Sequence, residues 1–202
     1  PLRVDEINRS NGFKGFSVDG TPSDCVKIAT QALLSDKPDI IVSGINHGSN
    51  TGLNIIYSGT VSAATEGTML NIPSVAISLN SFDESDFDGA KAAAKAVVVH
   101  VLEKGLPEKT LLNVNVPAIP EDEIKGFKIT QQGNAAFKDR FEKREDPRGK
   151  VYYWMTGHMI DPDTETHMDH YAVLDGYISI TPIHYRLTNH EFLDELSSWN
   201  FL

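Results

Sequence analysis

Cysteine is all but missing from this chain: Cys25 is the only one, so no disulfide can form within it. That fits a reducing compartment, and a cytoplasmic location is expected. Positive charge is scarce too, with 18 Lys and Arg against 28 Asp and Glu and a net charge of −10. A long-range field of that sign repels polyanions, so neither nucleic acid nor an anionic membrane is an expected partner. No apolar run approaches the roughly 18 residues of a membrane span, and no signal-peptide pattern is visible. The sequence lacks G-x-x-x-x-G-K-[ST], which argues against a P-loop NTPase. It also lacks a G-x-G-x-x-G after a strand, which argues against a Rossmann-like dinucleotide-binding protein. Internal repeats and low-complexity segments are absent as well.

What is present is ordinary for a soluble globular domain: 202 residues, 40% hydrophobic and 23% charged, enough for one sizeable core. The opening "PLRVDEINRS" has no Met, and Leu2 and Val4 alternate with Arg3 and Asp5 as in a strand already under way. Residues preceding Pro1 are expected in the natural protein. Strand and helix signals then alternate over the first two thirds. "GFSV" leads into a helix with Thr21 as N-cap, Pro22 at its first position, Asp24 in its first turn and Val26, Ala29 and Leu33 on one face. "DIIVS" at 39–43 is a continuous apolar run, as in a parallel strand covered on both faces. A helix is expected from about Ser58, with Val61, Ala64, Thr65, Thr68 and Met69 as a stripe small enough for close approach to a sheet. "PSVAISL" (73–79), a long helix ended by Gly105 and Pro107, and "TLLNVNVP" (110–117) continue the rhythm. The fold expected is α/β: a Rossmann-like, mainly parallel sheet with helices on both faces.

After Pro117 the pattern changes. "GFKITQQG", "VYYWMTG" and "YISITPI" read as strands of an antiparallel β-rich extension. "KDRFEKREDPRGK" (138–150) reads as a solvated mixed-charge loop. The C-terminal helix is expected to carry a Thr188–Glu191 capping box and a Phe192, Leu196, Trp199 stripe.

The chemistry concentrates in "PDIIVSGINHGSNTGLNIIYSGTVSAATEG", Pro38 to Gly67. In an open parallel sheet, ligands bind beyond the carboxyl ends of the strands, where "SGINHGSN" should lie. Gly44, Gly48 and Gly52 allow close backbone approach, and Asn46, Asn50 and Asn54 bring amide oxygens and donors. An Asn oxygen suits a hard divalent cation. Ser58, Gly59 and Thr60 open a helix whose free N–H groups and dipole favour an anion. Gly/Asn loops are also common for purely local reasons.

Taken with "GTPSDCVK", "NIPSVAIS", "LLNVNVP" and "GYISITPI", in order and suitably spaced from about Gly20 to the C-terminus, this stretch resembles the SurE family of survival proteins. The resemblance implies metal-dependent 5′-nucleotidases that also act as broad phosphatases. They hydrolyse nucleoside monophosphates with one divalent ion, Mg2+ or Mn2+, and can act on 3′-nucleotides and polyphosphate. It implies a core over residues 1–118 and, over 119–202, a β-rich extension, oligomerisation arm and C-terminal helix of the same domain. Dimers or tetramers would form by exchange of extended arms. Carried onto this chain, the metal-ligand Asn is Asn46, the phosphate site is Gly44, Asn46, Ser58, Gly59 and Thr60, and Gly20 to Val26 lies close by. The family's Asp-Asp-Gly and a later metal-binding Ser have no counterpart in these residues, nor do the first strand and helix of the sheet. The catalytic aspartates are therefore expected upstream of Pro1. The competing reading is a non-catalytic binding or assembly module.

Other residues carry less. Cys25 reads as a packed residue, and His167 and His170, in "DTETHMDHY", as part of a surface loop. His184 and His190 read as interface or capping residues, and Tyr152, Tyr153 and Trp154 as packing of the extension rather than a base-stacking platform. Residues 1–202 expressed alone are expected to be inactive. Metal-dependent release of phosphate from AMP by this segment, rigorously purified, overturns that expectation.

Overall fold

The computed structural model describes residues 1–83, 86–160, 162–163 and 165–201. It opens with a hairpin, β1 (Val4–Asn8) and β2 (Lys14–Val18), apart from the main sheet. Next come α1 (Pro22–Ile28), continued by a π-helical turn at Ala29–Leu33, then β3 (Ile41–His47) and a 3-10 turn at Gly52–Tyr57. The core continues with α2 (Gly59–Met69), β4 (Ser74–Asn80), α3 (Asp88–Lys104) and β5 (Thr110–Pro117). The last elements are β6 (Phe127–Ile129), β7 (Ala136–Glu145), β8 (Val151–Ile160), α4 (Asp169–Leu174), β9 (Ile178–His184) and α5 (Leu193–Ser197).

The main sheet has the order β3–β4–β5–β9–β6. The pairs β3–β4, β4–β5 and β6–β9 are parallel, and β5–β9 is antiparallel. Its core follows from strand alternation. Val75, Ile77 and Leu79 of β4 and Val114 and Val116 of β5 pack against Ala90, Ala93, Val97 and Val101 of α3. On the other face Ala76 and Leu111 meet Ile55 and Val61 and Ala64 of α2. Helices on both faces are the arrangement that the alternating pattern predicts.

Thr21 caps α1 as expected: its hydroxyl accepts from Asp24 N at 3.2 Å, while Thr21 N donates to Asp24 Oδ2 at 2.9 Å. Ser58 caps α2, accepting from Val61 N at 3.1 Å. Val61, Ala64 and Thr68 are buried, whereas Met69 is exposed. The close approach is enforced by Gly67, where a Cβ would collide with Ser74 Oγ and lie 2.6 Å from Ile41 Cδ1.

Several expectations are corrected. The first parallel strand runs on to His47, because Asn46 and His47 still pair with Ser78 and Leu79 after an irregularity beyond Ser43. Among the described strands β3 lies at the sheet edge, and Val42 is exposed, so it is not covered on both faces. The strands after Pro117 divide. β9 and β6 complete the main sheet, and β7 with β8 alone make a two-stranded antiparallel arm. Most of the presumed loop 138–150 is strand, since every residue of Ala136–Glu145 has a partner across the arm. Only the tip turns, with Asp146 Oδ1 accepting from Arg148 N and Lys150 N. Mixed charge here marks a strand solvated on both faces. At the C-terminus Asn189, not Thr188, caps: its Oδ1 accepts from Glu191 N and Phe192 N at 3.1 and 3.3 Å. Its short side chain bonds the backbone two and three residues on, which is the geometry of an Asx turn. Phe192 and Trp199 then meet edge to face at 5.6 Å.

Gly67→Val is expected to push α2 off β3 and β4 and to cost about 1–3 kcal/mol. Urea denaturation checks it: a midpoint equal to that of the wild type would show that the helix does not need this contact.

Candidate active site

The carboxyl ends of β3, β4 and β5 meet in a set of buried amides and hydroxyls. In β5 the apolar Val114 and Val116 point to α3, so Asn113 and Asn115 point the other way, and both are fully buried. Ser78 of β4 pairs with Asn115 on one side and Asn46 on the other. Asn50 sits over all three strands. Its N–H donates to Asn115 Oδ1 at 2.7 Å, and its carbonyl accepts from Asn113 Nδ2 at 2.7 Å and Asn115 Nδ2 at 3.3 Å. Its Nδ2 donates to Ser78 Oγ at 2.7 Å and to Asn46 Oδ1 at 3.1 Å.

Asn46 is thereby fixed. Its Nδ2 faces two carbonyls, His47 O at 2.8 Å and Gly48 O at 2.9 Å, which sets the amide orientation. Its Oδ1 accepts from Ser78 Oγ at 2.8 Å as well as from Asn50. Asn46 and Ser58 line one crevice of about 250 Å3, together with Asn80 at the end of β4. The Ser58 hydroxyl spends acceptor capacity on Val61 N and keeps its proton to donate. Gly59 and Thr60 form the first turn beside it, ahead of the first internal helix bond, Ser62 N to Ser58 O at 3.0 Å. They do not line the crevice, and neither does Gly44, which lies inside β3 against the Ile77 carbonyl. The Gly20–Val26 segment is close by, since a Cβ on Gly59 would come within 3.1 Å of Pro22 Cγ.

The segment read as a surface loop around His170 is a correction. His167 is exposed, but Asp169 and His170 are buried at the start of α4; Thr164 lies outside the described residues. Asp169 Oδ2 accepts from Gly52 N at 2.9 Å, and Oδ1 accepts from His170 N at 2.8 Å and Gly133 N at 3.1 Å. Thr51 Oγ1 and His170 Nδ1 are 3.1 Å apart. Gly52 has φ +56, and a Cβ there would run into the Ala135 carbonyl, so the loop and the arm root touch backbone to backbone. Desolvation outweighs the three N–H donors and raises the Asp169 carboxyl above its ordinary value. Sequence reasoning missed Asp169 because its partners lie 36 and 117 residues away. It missed Asn113 and Asn115 too, although two Asn at alternate positions in an apolar strand were the signal. Cys25 is half-buried in α1 and does not line the crevice. Tyr152, Tyr153 and Trp154 are exposed along the arm, with the Arg144 guanidinium 5.2 Å over the Trp154 ring, rather than packed in a core.

The family description "Survival protein SurE" matches residues 1–139. The chain is 47% identical over 200 residues to the 5′-nucleotidase SurE of Syntrophobacter fumaroxidans, covering 99% of this chain and 80% of that protein. It is 46% identical over 195 residues to the 5′-nucleotidase SurE of Christiangramia forsetii, covering 96% and 75%. The crystal structure of the SurE protein from Aquifex aeolicus superposes with a TM-score of 0.81 at 42% identity, covering 98% of this chain and 79% of that one. The chain belongs to the SurE family.

SurE membership implies a divalent metal cofactor. Among the described residues no three His, Cys, Asp or Glu side chains cluster to hold one. The crevice offers Asn46 Oδ1, a neutral oxygen already accepting two hydrogen bonds. These residues by themselves do not fit a divalent ion, whose dehydration is offset by carboxylate charge. No described helix is long and apolar enough to cross a membrane.

Asp169→Asn places an NH2 against the N–H of Gly52 or of Gly133 and His170. It should cost about 1–3 kcal/mol and speed amide exchange at Gly52. A raised carboxyl binds its proton more tightly folded than unfolded. Its contribution to stability is therefore full below the unfolded value of 3.8 and is lost as pH rises through the folded value. Denaturation of wild type and variant across pH 3–7 checks both, and an unchanged pH slope in Asp169→Asn would refute the assignment.

Proposed function

We propose that the protein is a metal-dependent 5′-nucleotidase that hydrolyses nucleoside 5′-monophosphates to nucleoside and phosphate. In this reading 3′-nucleotides and short polyphosphate are further substrates, and the enzyme works in the cytoplasm. The observation that carries it is the convergence, in one crevice, of Asn46 from β3 with Ser58 at the start of α2. Relatives called 5′-nucleotidase SurE support it at 43–47% identity and do not favour a non-catalytic module.

The residues of this chain hold the phosphate. The Ser58 hydroxyl, in the crevice lining, donates to its non-bridging oxygens, and the α2 dipole, with the free N–H groups of Gly59 and Thr60 beside the crevice, favours their charge. Charge that shifts to those oxygens as the ester P–O bond breaks meets donors already in place, so little reorganisation opposes the reaction. Gly44 serves indirectly, by letting β3 approach β4 and so setting the position of Asn46. The ion in this reading is Mg2+ or Mn2+. Asn46 would contribute one neutral ligand, and carboxylates outside the crevice lining would have to supply the charge that offsets dehydration. We divide the domain into a core of residues 1–118 and an extension of 119–202, whose arm and C-terminal helix join copies into a dimer or tetramer.

The full-length protein should release phosphate from AMP with Mg2+ or Mn2+, stop in EDTA and recover when metal is restored. Asn46→Ala should lower kcat/KM by at least about tenfold, the scale of losses around metal sites. Metal-independent turnover, or an Asn46→Ala enzyme as active as wild type, would sink this reading.

A further inference from the structure

We propose that Phe137 and Met159, at the root of the β7–β8 arm, form the wall that receives the nucleobase and so set specificity for nucleotides over other phosphomonoesters. This rests on the nucleotidase reading above. The two residues face each other across the arm as a cross-strand pair, and both line the crevice that holds Asn46 and Ser58. The lining thus joins amides and a hydroxyl to apolar side chains. Phosphate and ribose gain nothing from an apolar wall. A nucleobase does, because it is a flat π-system that stacks on aromatic rings and lies well against a thioether.

The wall is held in place. Asn134, ahead of β7, donates from its backbone N and Nδ2 to Asp163 at 2.6 and 2.9 Å, tying the two strand roots together. Leu53 N donates to Ala135 O at 2.8 Å, and Gln132 Nε2 donates to Gly52 O at 3.0 Å. Asn54 Nδ2 lies 3.7 Å from Met159 Sδ. The exposed Phe82 ring, also in the crevice lining, rests on Gly48, where a Cβ would come within 2.6 Å of it. Tyr152, Tyr153 and Trp154 cannot serve: Trp154 pairs with Glu142, five residues up the arm from the Phe137–Met159 pair, or about 17 Å at the rise of an extended strand.

The test compares kcat/KM for AMP and for ribose 5-phosphate in the full-length, metal-loaded protein. Phe137→Ala should lower the AMP to ribose 5-phosphate ratio about tenfold, mainly through KM for AMP, and Phe137→Tyr should restore it. Met159→Ala, which leaves the aromatic ring in place, should lower the same ratio and carries the test if Phe137→Ala fails to fold. A ratio equal to wild type in Met159→Ala and in every folded Phe137 variant, with AMP still cleaved by the wild type, overturns this inference alone. A wild type that cleaves ribose 5-phosphate and not AMP overturns the nucleotidase reading, and this inference with it.

Discussion

The backbone and side chain of Asn50 join three strands at their carboxyl ends, and the crevice depends on that junction. One residue donates to Asn115, Ser78 and Asn46 and accepts from Asn113 and Asn115. In a buried, low-dielectric setting such a network is rigid when its groups are satisfied and costly when they are not. One acceptor, Asn113 Oδ1, has no partner among the described residues. A carbonyl oxygen left so costs less than an orphaned N–H, and it turns Asn113 Nδ2 toward Asn50.

A second constraint brings the arm to the same place. Asp169 is buried at the start of α4, yet its three N–H donors come from the loop after β3, from the segment leading into β7 and from its own helix. A fully desolvated carboxylate tolerates few geometries, so it fixes the loop and the arm root relative to each other. The crevice is therefore lined by residues of the sheet and the start of α2 together with residues of the arm.

Much of this was legible in local sequence. The Thr21 cap, the start of α2 at Ser58, the small-residue face of α2 and the βαβ order all follow from short-range signals, and each is found in the structure. Asn46 and Ser58 were legible as a pair because one ends a strand and the other opens the next long helix. The arm was not. Its alternating charges gave no apolar period to read, since neither face of β7 is covered. The burial of Asp169 and His170 was hidden for the opposite reason, as short polar segments look solvent-exposed until distant partners are known.

By itself the sequence determined the fold class and the chemistry of the loop, because helix caps, strand alternation and amide-rich turns are set by neighbours a few residues apart. Only the tertiary structure decided which side chains share the crevice. Gly44, Gly59 and Thr60 stay outside its lining, while Asn50, Phe137 and Met159 line it and Ser78, Asn113 and Asn115 hold Asn50 in place. Those meetings come from strand order and from contacts across 28 to 117 residues, a range that local propensity does not encode.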